Sequence, residues 1–509
     1  MHRSLYLSEI LNIVFNFVLE DPEDKPGLKS LVALACACHT FHDTALNILW
    51  RSIPGFAPLL QTLPSDIYQE TQVNRFSKVL SLKCQTRRSD WDRCKTYTPR
   101  IRRFGFEPQS NFSCTSDVIA AMERYAVLPL PNLQAYCCTE PPIEPPSPNM
   151  AELQIEVNYG STRDLANARL TETLKAFTAC PIRKLTIPRI YRDDDPSPLD
   201  LPLEAVNFIS SLSRLEVLSI INFIIPDDAL RMLASSELLR GLEINNTSED
   251  LLRCTPGCES TFSELRVFSF RSRHISEASD LLHRVAPRKL QSIRVTLDTE
   301  TSTITMSNSH LHKFFQTLET HCVSDMLTSI HVKQLSQDHK SEDPWNFTCG
   351  LSDFEPLLSF WRLRDLDLFF YNVEYTFDNS SIEKMTAAWP EMHTFRLDYE
   401  TDHEYSIHHH ITLDGLLPIA RYWPQLEHLT LSFLGVVSHD EDLLQRPGAG
   451  FSCPRLDLIS VGYSKLDSNP GVVAAFLKAI FPNLARLTYC SEADDWEPVS
   501  LVVEAMRQL

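Results

Sequence analysis

Apolar positions in this chain fall into one short phrase, Leu-x-x-Leu-x-Leu with Ile, Val, Met or Phe substituting, which returns about every 30 residues from mid-chain to the C-terminus. Copies begin at Ile182, Leu215, Leu239, Leu265, Leu290, Leu327, Leu363, Met392, Leu426, Leu456 and Leu484, each followed by apolar residues three and five places on. Met150/Leu153/Ile155 fits the same template and Leu133/Tyr136/Cys138 fits it loosely, so the array starts earlier and less regularly. A fixed period of this size signals a solenoid, in which each unit buries its apolar face only by stacking on its neighbours.

The phrase predicts a strand. In Leu215-Glu216-Val217-Leu218-Ser219-Ile220 the last two apolar positions are two apart, as one buried strand face requires, and Ser219 faces the other way. Stretches with helical spacing lie between, such as Ala474–Ile480 ahead of Phe481-Pro482-Asn483-Leu484. Proline cannot continue a helix and restricts the residue before it, and Cys180-Pro181, Trp389-Pro390, Trp423-Pro424, Cys453-Pro454 and Phe481-Pro482 repeat that punctuation. Strand–helix–strand connections run parallel and right-handed, so the units should stack as one parallel ladder. Strands spaced about 4.8 Å apart cannot stay level with helices about 10 Å across, which predicts a horseshoe with strands inside, roughly 60 Å along the ladder for about thirteen strands.

At this point the chain resembles the leucine-rich repeat family, and its cysteine-containing subtype in particular. Leu218-x-Ile220-x-x-Phe223-x-Ile225-x-Asp227-Asp228-Ala229-Leu230-x-x-Leu233-Ala234 looks like that subtype's unit, with Phe223 where Cys or Asn is usual. The fold class expected is therefore α/β, a repeat solenoid with a parallel ladder inside and helices outside.

Composition narrows the partners. The formal charge of −19 argues against nonspecific nucleic-acid binding, which depends on neutralising phosphates. Fourteen Cys are scattered rather than set in a disulfide framework, and Cys180 and Cys453 fall at repeat positions as small apolar residues. A reducing compartment, cytoplasmic or nuclear, is expected. Glu9 interrupts the apolar start and no cleavage site follows, so no signal peptide is read there, and no uninterrupted apolar stretch is long enough for a membrane span.

The N-terminus has another organisation. Ile10, Leu11, Val14, Phe15 and Val18 share a helix face that Ser8 caps, and Asp21–Gly27 ends it. Leu28, Leu31, Val32, Leu34, Ala35 and Cys38 line a second helix, and Phe41, Ala45, Leu46, Leu49 and Trp50 a third. Three short helices form a marginal core and carry more large apolar residues than such a core can hide. This stretch, roughly residues 4–52, resembles the F-box, the helical motif that docks a receptor onto the Skp-type adaptor of cullin-based ubiquitin ligases. The match runs through Leu7-Ser8-Glu9-Ile10-Leu11-x-x-Val14-Phe15, then Leu31-x-x-Leu34-Ala35-x-x-Cys38-x-x-Phe41, and closes on Ala45-Leu46-x-x-Leu49-Trp50-Arg51, with Ser8 where the family usually has Pro. The resemblance implies that Leu7, Ile10, Leu11, Val14, Leu31, Leu34, Cys38, Phe41, Leu49 and Trp50 divide between the small core and the adaptor interface. The alternative is that they pack against the first repeat.

Strand alternation turns other side chains into the concavity. Arg271, Arg294, His331 and Lys333 are expected to form a basic strip, followed by Asp365, Asp367 and Phe369 and then Arg396 and Asp398, a bipolar groove that selects a protein by charge. Each of these positions is equally well read as a solvated strand residue. A second basic cluster, Lys83, Arg87, Arg88, Arg93, Lys95, Arg100, Arg102 and Arg103, with Trp91, Tyr97, Phe104 and Phe106 interleaved, reads first as an insertion loop and second as a site for an acidic peptide. The proline-rich stretches 140–148 and 193–198 read as stiff surface loops.

Catalytic patterns are missing. There is no phosphate-cradling glycine loop and no Gly-x-Ser-x-Gly elbow. His408-His409-His410, near Asp402 and His403, alternate faces on a strand and do not converge on a metal, and Cys254-x-x-x-Cys258 lacks a second pair. The expectation is a non-catalytic substrate-recognition subunit of a Skp–cullin–F-box type ligase, with no cofactor or metal and no nucleic-acid or membrane partner. Its parts are a helical module (1–55), a linker with an irregular repeat and the basic insertion (56–130), and the repeat array (131–509). The rival is a repeat scaffold with no role in ubiquitin transfer.

Overall fold

Because two apolar residues of each phrase lie two apart, they fall on one strand face, and in the computed structural model these faces pair in register. The structure describes residues 7–19, 26–75, 77–106, 112–125, 127–128, 130–138, 147–156, 163–187, 199–221, 223–245, 262–297, 307–335, 347–371, 373–400, 410–436, 450–490 and 494–506. They divide into two compact units, one of residues 1–197 with 201–222, the other of residues 198–200 with 223–509.

In the first unit six strands form a parallel ladder: Ser52–Ile53, Arg103–Phe104, Ala135–Cys138, Glu152–Ile155, Lys184–Ile187 and Val217–Ile220. Ile53, Phe104, Tyr136, Leu153, Leu185 and Leu218 make one inner row. The first two strands lie upstream of any copy of the phrase. They are held by the backbone, with the amides of Arg102 and Arg103 donating to the Arg51 carbonyl at 2.9 and 2.8 Å and Gly105 donating to Ile53 at 2.9 Å. Gly105 has φ +85°, and a Cβ there would stand 2.5 Å from the Cys137 carbonyl oxygen, so the turn that leaves Arg103–Phe104 admits only glycine.

Ahead of the ladder stand three helices, α1 (Ser8–Leu19), α2 (Pro26–Ala37) and α3 (His39–Leu49). Leu11, Phe15, Leu31, Ala35, Ala45 and Ile48 form their core, with Val18, Leu34, Phe41, Leu46 and Leu49 packed against it. The Phe15 and Phe41 rings meet edge to face at 5.5 Å. Gly27 opens α2 where a Cβ would lie 2.7 Å from the Val18 carbonyl oxygen, so α2 starts hard against the end of α1.

The basic stretch is not an open insertion loop. Arg88–Trp91, Asp92–Tyr97 and Thr98–Arg100 are successive short helices anchored by the buried Trp91 and Cys94, and the Trp91 indole donates to Thr86 Oγ1 at 3.0 Å. The apolar pair three apart, Trp91 and Cys94, is the helical signal that the surrounding charge masks.

In the second unit nine parallel strands form the ladder: Gly241–Asn245, Val267–Ser272, Ser292–Leu297, Ser329–Gln334, Asp365–Tyr371, Thr394–Glu400, His428–Thr430, Leu458–Ser460 and Arg486–Thr488. The middle apolar residues of nine successive phrases, from Leu242 through Leu366 to Leu487, pair in a single buried row. Burying one such side chain contributes about 1.5–3 kcal/mol, so the row contributes substantially to cohesion along the ladder. Helices Asn379–Ala388 and Pro470–Ile480 end on Trp389 and Phe481, whose rings are fully buried and whose amides still donate to Met385 and Leu477. The proline that follows each stops the helix there and turns the chain into the next strand. The Trp389 indole donates to the Leu357 carbonyl at 3.0 Å.

Cys94, Cys137, Cys138, Cys180, Cys322, Cys349 and Cys453 are buried free thiols, and burial pushes the Cys322 thiol up to about 12. Among the described residues no helix is long and apolar enough to cross a membrane.

Candidate protein-interaction surfaces

A helix that is apolar on every side needs more than one partner. In α1 only Leu11 and Phe15 are buried, while Ile13, Val14, Leu19 and, at 70% exposure, Phe17 face solvent. On α2, Leu28 and Val32 lie one turn apart and are both exposed. Of the ten residues named from the F-box resemblance, Leu11 and Leu31 are sealed in the module's own core, Leu7 and Val14 are exposed, and Ile10, Leu34, Cys38, Phe41, Leu49 and Trp50 are half-buried. The sequence reading passed over Ile13, Phe17, Leu28 and Val32 as surface candidates. Their signal is the surplus of apolar residues off the face that Leu11 and Phe15 define.

Trp50 has a separate job. Its ring stacks on Tyr97, centroids 4.3 Å apart and planes 16° from parallel, which ties α3 to the short helices of the basic stretch. Arg100 adds an ion pair to Asp43 at 2.9 Å and a hydrogen bond to Asn47, and Arg51 donates to Asn16 Oδ1 at 3.2 Å. The interleaved aromatics of the basic stretch are thus spent in packing. Trp91 is buried, Phe104 sits in the inner row, and Phe106 lies beneath the Arg103 guanidinium at 4.3 Å.

On the second unit's ladder, register sorts the expected residues into rows. Ser269, Arg294, His331, Asp367 and Arg396 form one outward row, and Arg271, Thr296, Lys333, Phe369 and Asp398 form the next. Asp365 belongs to a third row, between Ser329 and Thr394. The four basic residues therefore occupy two adjacent rows on three neighbouring strands, Val267–Ser272, Ser292–Leu297 and Ser329–Gln334, and acidic side chains enter on the next strand. Asp367 is the centre of this arrangement, 3.5 Å from His331 Nδ1 and 3.8 Å from Arg396 Nη1. Burial pushes its carboxyl up, but the His331 hydrogen bond and the charges of Arg396 and Lys333 outweigh this and hold it below the ordinary value. In the neighbouring row Lys333 Nζ sits 5.6 Å from the centre of the Phe369 ring, which meets Tyr371 edge to face at 5.3 Å. Half-buried Phe369 beside a cation is the one outward phenyl ring among the nine groove residues expected here.

His408 and His409, with Asp402 and His403, lie outside the described residues, as do Cys254, Cys258, residues 139–146 and residues 188–198. His410 is described and bridges to Asp378. No group of three metal-ligating side chains occurs among the described residues.

No protein-family model matches the chain, and no curated protein matches it. Among solved structures, a chain from the crystal structure of the Rad7 and Elc1 complex in yeast is similar over 96% of this chain and 90% of its own length, at 12% identity and a TM-score of 0.36.

Proposed function

We propose that the chain is a substrate-recognition subunit of a Skp–cullin–F-box type ubiquitin ligase. The helices α1–α3 dock on the Skp-type adaptor and the outward ladder face, with Arg294, Lys333, Phe369 and Arg396, holds the target protein. The chain itself catalyses nothing. It acts by tethering, which raises the local concentration of target lysines near the transferred ubiquitin. The observation that carries this reading is the apolar surface that the six-residue helical core leaves uncovered on α1 and α2, in a stretch whose residues through Leu49-Trp50-Arg51 resemble the F-box.

Co-purification with a Skp-type adaptor tests it. The intact chain should retain the adaptor, and Phe17→Asp combined with Val32→Asp should release it, because each buried anchor contributes about 1.5–3 kcal/mol to such an interface. Both side chains are exposed in the free chain, so circular dichroism and melting temperature should stay unchanged. An intact, folded chain that fails to retain the adaptor leaves the scaffold reading in place of this one.

A further inference from the structure

One basic depression in the first unit is lined by residues other than the exposed apolar ones of α1 and α2. Arg51, Arg102, Arg103, Gln134 and Glu152 are among the residues that line an open groove of about 520 Å³. The chain carries 66 acidic against 47 basic side chains, yet here three guanidiniums meet one carboxylate. That carboxylate is already engaged. Glu152 accepts from Arg103 Nη1 at 2.6 Å and from Lys184 Nζ at 2.8 Å, and although burial opposes ionisation, these two cations hold its carboxyl below the ordinary value.

The other two guanidiniums are placed by single contacts. Arg51 uses Nη1 on Asn16 Oδ1 and Arg102 uses Nη1 on the Asn132 carbonyl, each at 3.2 Å. A guanidinium presents five N–H donors in a rigid fork, so each contact orients the group and leaves most of its donors for an incoming acceptor. A concave wall concentrates the field of such charges, and the planar fork matches the two oxygens of a carboxylate. A long polyanion would meet the acidic remainder of the chain, whereas a short acidic segment would not.

We propose that this groove binds side-chain carboxylates of an acidic, extended peptide segment of a partner protein. Arg51 and Arg102 supply the forks, Gln134 a neutral amide beside them, and Arg103 stays paired with Glu152. Because Arg51 follows directly on the Trp50 that caps α3, the segment is held beside the helical module. Nothing in this assignment requires the adaptor.

Fluorescence anisotropy on the whole chain, without adaptor and at low salt, tests it with a labelled Glu-rich peptide and its Gln-for-Glu counterpart. The Glu peptide should bind and the Gln peptide should not, and added salt should weaken binding. The Arg51→Gln/Arg102→Gln double variant should lose at least about tenfold in affinity. Glu152→Gln should gain severalfold, a result that misfolding cannot produce, and Arg455→Gln in the second unit should change nothing. Equal binding of the two peptides, or wild-type affinity in the double variant, overturns the proposal. A phosphoserine peptide that binds tenfold tighter than the Glu peptide also overturns it, since the forks would then be matched to phosphate. Adaptor retention is read separately, so loss of one result leaves the other standing.

Discussion

Truncating Tyr97 to alanine tests how the helical module is held. Its ring stacks on Trp50 at a centroid distance of 4.3 Å, the one aromatic contact that joins α3 to the short helices of the basic stretch among the described residues. A stacked aromatic pair contributes about 0.5–1.5 kcal/mol beyond the area it buries. Tyr97 is half-buried, so the lost apolar area adds about 1–1.5 kcal/mol. The nearby Arg100–Asp43 pair is a weaker tie, because the Asp43 side chain is 77% exposed and surface ion pairs contribute at most about 1 kcal/mol. Tyr97→Ala should therefore favour local opening of α1–α3 by about 1.5–3 kcal/mol, roughly ten- to a hundredfold in the opening equilibrium. Hydrogen exchange of peptides covering α3, with Asp365–Tyr371 as internal reference, reads this directly. A double-mutant cycle with Trp50→Ala should give a coupling of about 0.5–1.5 kcal/mol. Unchanged exchange in α3, or strictly additive single effects, would refute the stack as the clamp.

Two further outcomes follow from the second unit. Leu366 is fully buried between Ile330 and Phe395, so Leu366→Ala should cost about 2–5 kcal/mol in urea unfolding, and a loss under about 1 kcal/mol would show that the inner row does not carry the cohesion. Asp367 has a carboxyl held below its ordinary value, so its contribution to stability is present above the usual carboxylate pKa and is lost as pH falls through the lowered one. The melting-temperature difference between wild type and Asp367→Asn should thus be full near pH 6 and fade below about pH 4, and an equal difference at pH 6 and pH 3 would sink the assignment.

Much of the ladder is readable from the chain because a strand's two faces are chemically distinct. Once Leu366 and Leu368 are assigned inward, Asp367 and Phe369 must face outward, and the structure places them so. What alternation cannot supply is the offset between strands. Arg271 and Arg294 stand on different rows because Arg271 is the third residue after Phe268, whereas Arg294 follows Ile293 directly, and Phe268 and Ile293 are the pair that sets register. The basic strip is thus two rows wide, a width that appears only when each cation is counted from its own inner residue. The two earliest strands, Ser52–Ile53 and Arg103–Phe104, escape the periodic pattern for a related reason. Each is two residues long and is fixed by backbone donors to Arg51 and by Gly105, so it needs only a single inward apolar side chain.

The helical module poses the opposite difficulty. Periodicity in Ser8–Leu19 has no clear phase, because Ile10, Leu11, Ile13, Val14, Phe15, Phe17, Val18 and Leu19 surround the helix and only Asn12 and Asn16 interrupt them. Assigning Val14 to the same face as Leu11 and Phe15 was consistent with helical spacing, yet packing chose Leu11 and Phe15 and left Val14 outside. A chain that kept α1 only for its own core would gain nothing from Ile13 and Phe17, and polar residues there would be more soluble. The large apolar groups exposed on α1, in a chain of net charge −19, are the surface that the proposed adaptor docking would cover. Ile13 and Phe17 on α1, and Leu28 and Val32 on α2, each lie four residues apart, so each exposed pair shares one face of its own helix.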